Sequence, residues 1–193
     1  FLLGHVAAKV AQKTEQDIWN GTAATNCSIA GFKELMLADA DVIDVGAGAA
    51  VTAANVIDKM GLVVDAINST IYTSEDLYIY VSQNVARAYV RALGGFQATI
   101  GGAGTDDKGT QWYNGGGLSF DGVKIAVANG LPDNTMVAAE KSNLFFGTGL
   151  LNDQNEIKVI DMADIDGSQN VRVVMRYTAA VQYGLGSEIV LYS

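Results

Sequence analysis

The residue types that most often carry out catalysis are scarce in this chain. It contains 1 histidine, His5, and 1 cysteine, Cys27. His5 lies in a segment predicted to be helical and has no acid–base partner nearby in the sequence. Cys27 lies in a polar loop with no histidine close to it, although a nucleophilic thiol needs a base within hydrogen-bond reach. We therefore expect a packed or solvated histidine and an inert thiol.

Two glycine-rich segments have only a superficial likeness to nucleotide-binding loops. GAGAAV at 46–51 lacks the third glycine of a dinucleotide-binding loop. IGGAGTDDKGT at 100–110 lacks the Gly-Lys-hydroxyl ending of a phosphate loop, because Lys108 precedes Gly109. Both are interpreted as flexible loops. The longer stretch 101–117 has seven glycines and few apolar anchors, so it is predicted to be an exposed, mobile loop.

Two acidic groups have some of the features of a cation site. Asp164 and Asp166, followed by Gly167, suggest the start of a calcium loop, but the later ligands and the terminal glutamate are absent. A turn between two strands is the favoured interpretation. A second group is more typical of a solvated strand edge than of a cation site. Its members are Asp39, Asp41 and Asp44.

The composition limits the function classes further. Of the 193 residues, 49% are hydrophobic and 17% are charged, which is typical of a globular protein. The net charge of −9 argues against a nucleic-acid binder, since such proteins neutralise phosphates. No apolar run reaches the ~20 residues that a membrane helix needs. No G-x-S-x-G or H-E-x-x-H segment is present. We expect no catalytic residue, metal or cofactor, although distant residues can converge in a fold.

Apolar periodicity predicts helices over residues 1–19, over FKELML, over about 53–67 and over QNVARAYVRAL. Thr52 is the predicted N-cap of the third helix and Ser82 that of the fourth. The predicted buried stripe of the third helix is Ile57, Met60, Val64 and Ile67. On the fourth helix, Val85, Tyr89 and Leu93 are predicted to be buried. Arg87 and Arg91 share its exposed face at i, i+4 spacing.

Alternating patterns predict the strands that form the rest of the fold. LYIYVS places Leu77, Ile79 and Val81 on one face. A hairpin is predicted around Asp121-Gly122, followed by short strands in TMVAAE and NLFFG. Two long strand segments close the chain. In the first, one face carries Arg172, Val174 and Arg176, and the other carries Val173, Met175 and Tyr177. The last is apolar through Ile189, Val190, Leu191 and Tyr192.

The order of these segments resembles the carboxy-terminal two thirds of a tailed-bacteriophage major capsid protein with the Hong Kong 97-type fold. QDIWNG followed by Gly31-Phe32 is similar to the end of the family's spine helix and the turn after it. TAANVIDKMGLVVDAI is similar to a helix of the axial domain. The remaining similar segments, in order, are LYIYVSQNVARAYVRAL, FDGVKIAVANGLPDN, EKSNLFFGTGL and VRVVMRYTAAVQYGLGSEIVLY.

The resemblance implies an α+β fold with two lobes. The axial lobe is expected at 50–155, and the peripheral lobe at 1–49 and 156–193, with 1–19 as the end of the spine helix. The amino-terminal arm and the extended loop are expected to precede Phe1 and to be absent. Because the opening FLLGHVAAKVAQ has neither a starting Met nor a signal-peptide pattern, we expect the chain to begin inside a longer gene product.

The resemblance further implies a structural subunit of a phage virion, assembled in the host bacterial cytoplasm. Its partners would be copies of itself in hexamers and pentamers around the genome, with possible portal, scaffolding or decoration proteins, and no membrane. The candidate interface residues are Arg87, Arg91, Arg172 and Arg176, which are expected to pair with carboxylates, some of them on a neighbouring copy. The alternative is that these arginines are solvated or paired within the chain. Two alternatives stay open: an encapsulin-like compartment shell, and an unrelated soluble α/β enzyme with an acidic cleft.

Overall fold

A computed structural model describes residues 2–23, 29–46, 49–93, 117–149, 157–163, 167–175 and 178–193. Helices and strands are interspersed within these residues, which confirms the predicted α+β class. The helices are α1 (Leu2–Asn20), α2 (Phe32–Ala38), α3 (Val56–Asp65) and α4 (Gln83–Leu93). Among the described helices, none combines the length and apolar character needed to cross a bilayer.

Six strands form one mixed sheet in the order β1-β10-β5-β2-β4-β3. They are β1 (Ile43–Asp44), β2 (Leu77–Val81), β3 (Ser119–Phe120), β4 (Val123–Val127), β5 (Met136–Glu140) and β10 (Val190–Tyr192). β1 runs parallel to β10, and β2 runs parallel to β4, whereas the other neighbours are antiparallel. Strands from distant parts of the chain therefore meet in a single sheet.

Helices α3 and α4 cover one face of this sheet and form the first core with it. The predicted alternation of β2 is confirmed, because Leu77, Ile79 and Val81 are all buried on this face. Met60 of α3 and Val85 of α4 have no exposed surface and pack in the same cluster. Burial of such side chains contributes about 1.5–3 kcal/mol each to folding.

The opposite face is covered by α2 and the carboxy-terminal half of α1, which form the second core. Trp19 of α1 lies between the rings of Phe32 and Tyr80, at centroid distances of 5.4 and 5.2 Å. Gly21 ends α1, and its carbonyl oxygen accepts a hydrogen bond of 2.9 Å from the backbone N–H of Gly31. A side chain at either glycine would collide with this neighbouring backbone, which explains why glycine occupies both positions.

The predicted hairpin around Asp121 and Gly122 is confirmed as the connection between β3 and β4. Both residues have positive φ, 48° and 84° respectively. Two central residues with positive φ are characteristic of a type I′ turn, which matches the twist of the paired strands.

The prediction for α3 was wrong at its beginning and over part of its buried stripe. The helix begins at Val56 after Asn55, and Thr52 belongs to the preceding turn, where its carbonyl accepts the N–H groups of Asn55 and Val56. Ile57 is 47% exposed, while Val56 has no exposed surface. The observed stripe therefore starts one residue earlier than predicted, although Met60, Val64 and Ile67 are buried as expected. The buried members are Val56, Met60, Val63, Val64 and Ile67.

Four more strands form two ribbons of two strands each. β6 (Leu144–Thr148) pairs with β9 (Ala179–Tyr183), and β7 (Ile157–Asp161) pairs with β8 (Val171–Met175), both antiparallel. The segments predicted as long strands at the end of the chain are therefore strands of three to five residues. The six-stranded sheet also joins β1 and β10 to strands assigned by the sequence to the axial lobe.

Candidate subunit interface

Helix α4 presents its two arginines to solvent because its other side is fixed against the sheet. The hydroxyl of Tyr89 donates a 2.7 Å hydrogen bond to the carbonyl oxygen of Ser119, at the β3 edge. The Tyr89 ring meets Phe120 edge-on at 5.9 Å. These contacts fix the rotation of the helix, so Arg87 and Arg91 are exposed as predicted. Leu93, predicted to be buried, is half-buried against the first core.

The beginning of α4 is held by a network of amide side chains. Oδ1 of Asn84 accepts the backbone N–H groups of Val85 and Asn134, at 2.8 and 3.0 Å. Oδ1 of Asn134 in turn accepts Nδ2 of Asn84 and the backbone N–H of Val51, both at 2.9 Å. Ser82 precedes the helix as predicted, but its hydroxyl donates to Asn84 rather than capping a backbone N–H. The network ties α4 to two segments that are distant in sequence.

The third candidate arginine lies on the ribbon of β7 and β8. Arg172 is exposed and stands opposite Ile160, with Lys158 opposite Val174 on the same ribbon face. The other face carries Val159, 52% exposed, and Val171, 53% exposed. Arg176, together with Tyr177, lies outside the described residues. The structure therefore brings Arg87 and Arg91 together on one helix face and places Arg172 on a separate ribbon.

The ribbon of β6 and β9 carries two exposed aromatic side chains that were not identified as interface residues from the sequence. Phe145 is 53% exposed and Phe146 is 50% exposed. Successive residues of a strand point to opposite faces, so both faces of the ribbon are apolar here. The signal was present in the sequence, since two adjacent phenylalanines in one strand cannot both face the same core.

One end of this ribbon is held by Asn143, a buried side chain between β5 and β6. Its Oδ1 accepts the backbone N–H groups of Gly184 and Leu185, at 2.9 and 2.8 Å, and its Nδ2 donates to the carbonyl of Leu185. A buried amide with all these partners is well satisfied. The exposed phenylalanines are therefore carried on a ribbon that is fixed to the body of the molecule.

Two carboxylates of the acidic group around β1, those of Asp39 and Asp44, accept hydrogen bonds within the chain. Oδ1 of Asp39 accepts the backbone N–H of Asp41 at 3.0 Å, and Oδ2 accepts the Tyr183 hydroxyl at 2.8 Å. These two hydrogen bonds lower the pKa of Asp39. Burial, together with the hydrogen bond to Asp39, raises the pKa of Tyr183 to about 12. Oδ1 of Asp44 accepts the N–H of Gly46 at 3.1 Å.

Most of the remaining candidates for chemistry lie outside the described residues. His5 is exposed on α1. Cys27, the loop 101–116, and Asp164 with Asp166 lie outside the described residues. Among the residues that the structure does describe, no group of three or more His, Cys, Asp or Glu side chains could hold a metal ion.

An open cleft of about 460 Å³ lies beside β2 and β4, and it bears on the enzyme alternative. That alternative requires a deep pocket with convergent carboxylates. The cleft has one carboxylate side chain among its lining residues, and that side chain belongs to Glu75. The lining residues are Tyr72, Thr73, Ser74, Glu75, Leu77, Gly122, Val123 and Lys124. The cleft thus lacks the paired carboxylates that this alternative needs.

Comparisons with solved structures match 27 chains, and the three described here cover 97–100% of this chain. A chain of Mycobacterium phage Che8 superposes with a TM-score of 0.62 at 14% identity and covers 97% of this chain. A chain from the capsid of an empty GTA particle gives 0.59 at 15% identity and covers 99%. A chain from the satellite phage P4 procapsid, a structure that includes the size determination (Sid) protein, gives 0.59 at 9% identity and covers 100%.

This chain spans 60%, 64% and 65% of the length of the Che8, GTA and P4 chains, respectively. No protein-family model and no curated protein sequence matches it. At identities of 9–15% the similarity establishes the fold. The chain has the α+β fold found in these phage structures, which confirms the capsid-type fold implied by the resemblance.

Proposed function

We propose that the chain is the shell-forming part of a phage major capsid protein, which assembles into hexamers and pentamers of an icosahedral head around the genome. The observation that carries this proposal is the match of 97–100% of the chain to phage structures that include a capsid and a procapsid.

The surface of the molecule supports the same proposal. Five apolar side chains on or beside the two ribbons are each at least half exposed. They are those of Phe145, Phe146, Val159, Val171 and Leu185. Isolated two-stranded ribbons are marginally stable in water, and exposed apolar side chains on them favour contact with another surface. A subunit whose function is contact with copies of itself would present such ribbons.

The proposal includes a location and a domain arrangement. The protein would be part of the virion after assembly in the bacterial cytoplasm, with portal, scaffolding or decoration proteins as further partners. We also propose the axial lobe at 50–155 and the peripheral lobe at 1–49 and 156–193. In that arrangement the six-stranded sheet would connect the lobes, because β1 and β10 come from the peripheral segments.

The test is expression of the complete gene product followed by electron microscopy and analytical ultracentrifugation. We expect closed shells or ring-shaped capsomers. A product that stays monomeric at all concentrations tested would contradict the proposal. Shells from the native source that protect DNA from nuclease support a phage head, whereas shells that enclose a co-purifying enzyme identify the compartment alternative.

A further inference from the structure

We propose that neighbouring copies of this chain meet edge to edge, with a basic helix face of one copy against an acidic sheet edge of the next. The basic face consists of Arg87 and Arg91 on α4. The acidic edge consists of Asp41, Asp44 and Glu188 around β1. This inference rests on the proposed self-assembly and names the surfaces that carry it.

Among the described residues, no carboxylate pairs with the basic face. Helix α4 contains no acidic residue, so its two arginines are not paired along the helix. Within the part of the chain that the structure describes, neither guanidinium has an ion-pair or hydrogen-bond partner. Two exposed guanidinium groups one helical turn apart on a protein with a net charge of −9 form a local positive surface.

The acidic edge lies around the short edge strand β1 and the 3₁₀ helix Gly186–Glu188 that contacts it. Gly186 is close to the side chains of both Asp39 and Asp41. Asp41 and Asp44 are exposed, and Glu188 is half-buried beside them. The nearby amine of Lys59 lies over the ring of Tyr192 at 5.7 Å, on the α3 side of the sheet. The edge thus presents carboxylates to solvent.

The basic face lies on a helix that is joined to one edge of the sheet, and the acidic residues lie at the other edge. Helix α4 is tied to β3 through Tyr89, and β3 and β1 are the two outermost strands. Five strand spacings separate them, about 24 Å. Charges that far apart are screened from each other, because the Debye length is about 8 Å at physiological salt. The basic face can therefore pair with an acidic edge of this kind only on another copy.

A contact between two different surfaces of identical subunits is heterologous, and successive copies then form a ring when the rotation closes. Ring closure is what a hexamer or a pentamer requires. Charge complementarity also suppresses wrong pairings, because two basic faces or two acidic edges repel each other. A nucleic acid is the less suitable occupant of the basic face, because the remaining surface of this acidic chain would repel phosphates.

The test uses two complementary charge reversals in the complete gene product. The first variant carries Arg87→Glu and Arg91→Glu, and the second carries Asp41→Lys and Glu188→Lys. Each variant alone should need a concentration about tenfold higher than the unmodified protein in order to assemble. A single exposed ion pair is weak, but in each variant two attractive pairs are replaced by repulsive ones. A 1:1 mixture should restore hexameric rings, because the two variants can alternate there and each altered surface then meets an oppositely charged one. A pentamer has an odd number of copies and keeps at least one like-charged contact, so the mixture is not expected to form closed shells. Sedimentation and electron microscopy measure assembly.

Two controls make the outcome specific. Lys9→Glu with Lys141→Glu changes the net charge by the same amount as the arginine variant but leaves both surfaces intact. This control variant should therefore assemble normally. Arg87→Lys with Arg91→Lys keeps the charge and should also assemble. Thermal unfolding checks that each variant folds. If the first variant does not fold, the substitute experiment measures assembly of the unmodified protein in 1 M salt. Because salt screens exposed charges, weakened assembly is the expected result.

The possible failures are distinguishable. If the unmodified protein forms no oligomer, both the proposed function and this contact are wrong. If it assembles and the folded arginine variant assembles equally well, or the mixture fails to restore hexameric rings, only the edge-to-edge contact is wrong. Assembly that is normal but accompanied by loss of bound nucleic acid would assign the basic face to nucleic acid instead.

Discussion

Gly130 lies where the connection between β4 and β5 crosses helix α1. A side-chain carbon at this position would collide with the backbone carbonyl of Glu15 and with the ring of Trp19. The crossing is further held by Glu15, whose Oε1 accepts the backbone N–H of Asn129 at 3.1 Å. Glycine is needed here for close approach of two backbones, because its φ is not in the positive region.

We therefore expect Gly130→Ala to lower the free energy of unfolding by about 1–3 kcal/mol, the usual effect of overpacking. Gly61, inside α3, has no atom near the position of a new side chain. Gly61→Ala should raise stability by about 0.5–1 kcal/mol through helix propensity. Urea unfolding of the two variants measures both effects, and equal shifts in the same direction would contradict the packing argument.

Tyr183 links strand β9 to the end of α2 through its hydroxyl. It donates to Oδ2 of Asp39, and it also lies 3.3 Å from the carbonyl oxygen of Leu35. Its pKa is raised from 10.0 to about 12, so its contribution to stability is complete below pH 10 and is lost as the pH rises through about 12. The pKa of Asp39 is lowered from 3.8, so its contribution is lost as the pH falls through that lowered value.

Tyr183→Phe should remove this hydrogen bond and lower the stability of the protein. The difference in free energy of unfolding between the two proteins should be constant from neutral pH to pH 10 and should shrink towards pH 12. It should also shrink in acid, below the ordinary carboxyl pKa of 3.8. Chemical unfolding at a series of pH values provides the measurement. A difference that does not depend on pH would show that the ring packs without this hydrogen bond.

At the scale of secondary-structure elements, helix α3 was correctly predicted to be a helix, but part of its predicted buried face is exposed. Met60 has no exposed surface, whereas Ile57, one turn earlier, is 47% exposed. Met60→Ala should therefore cost about 2–5 kcal/mol, through lost burial and the cavity left behind. Ile57→Ala should change stability by less than about 0.5 kcal/mol, as at other surface positions. Thermal unfolding compares them, and a large cost at Ile57 would restore the face predicted from the sequence.

Elements whose signals are local were predicted well from the sequence. The alternation of Leu77, Ile79 and Val81 specifies a strand with one buried face. Asp121 and Gly122 specify a turn through their backbone preferences alone. The beginning of α3 was missed because Asn55 accepts the N–H of Thr52 and forms a turn where a capping Thr52 was expected. Thr52 and Asn55 are both residue types that can cap a helix, and the sequence does not rank them.

The pairing of strands from distant segments was beyond local signals. β1 contributes two residues, Ile43 and Asp44, which pair with β10 almost 150 residues later. Nothing in so short a segment specifies its partner, since the pairing depends on the whole sheet being assembled. For the same reason, the sequence indicated that Arg87 and Arg91 are exposed but did not show that an acidic group lies at the opposite edge of the sheet.

At the scale of the whole molecule, the six-stranded sheet contributes one face to each of the two cores. Along β10, Val190 and Tyr192 pack into the core beneath α3 and α4, while Ile189 and Leu191 pack into the core beneath α1 and α2. All four are at most 1% exposed. A strand buried on both faces cannot leave one core without opening the other. The two sides of the sheet are therefore expected to unfold together, even where they belong to different proposed lobes.

Trp19 reports on this coupling, because it lies in the second core while Met60 lies in the first. We expect Met60→Ala to lower the unfolding midpoint followed by Trp19 fluorescence as much as the midpoint followed by far-ultraviolet circular dichroism. The measurement uses a Trp112→Phe background, so that Trp19 is the single indole, and the same background without Met60→Ala is the control. Cooperative two-state unfolding requires coincident transitions. A Trp19 midpoint that does not move when Met60 is truncated would show that the two cores are independent, and the sheet would then not couple the lobes.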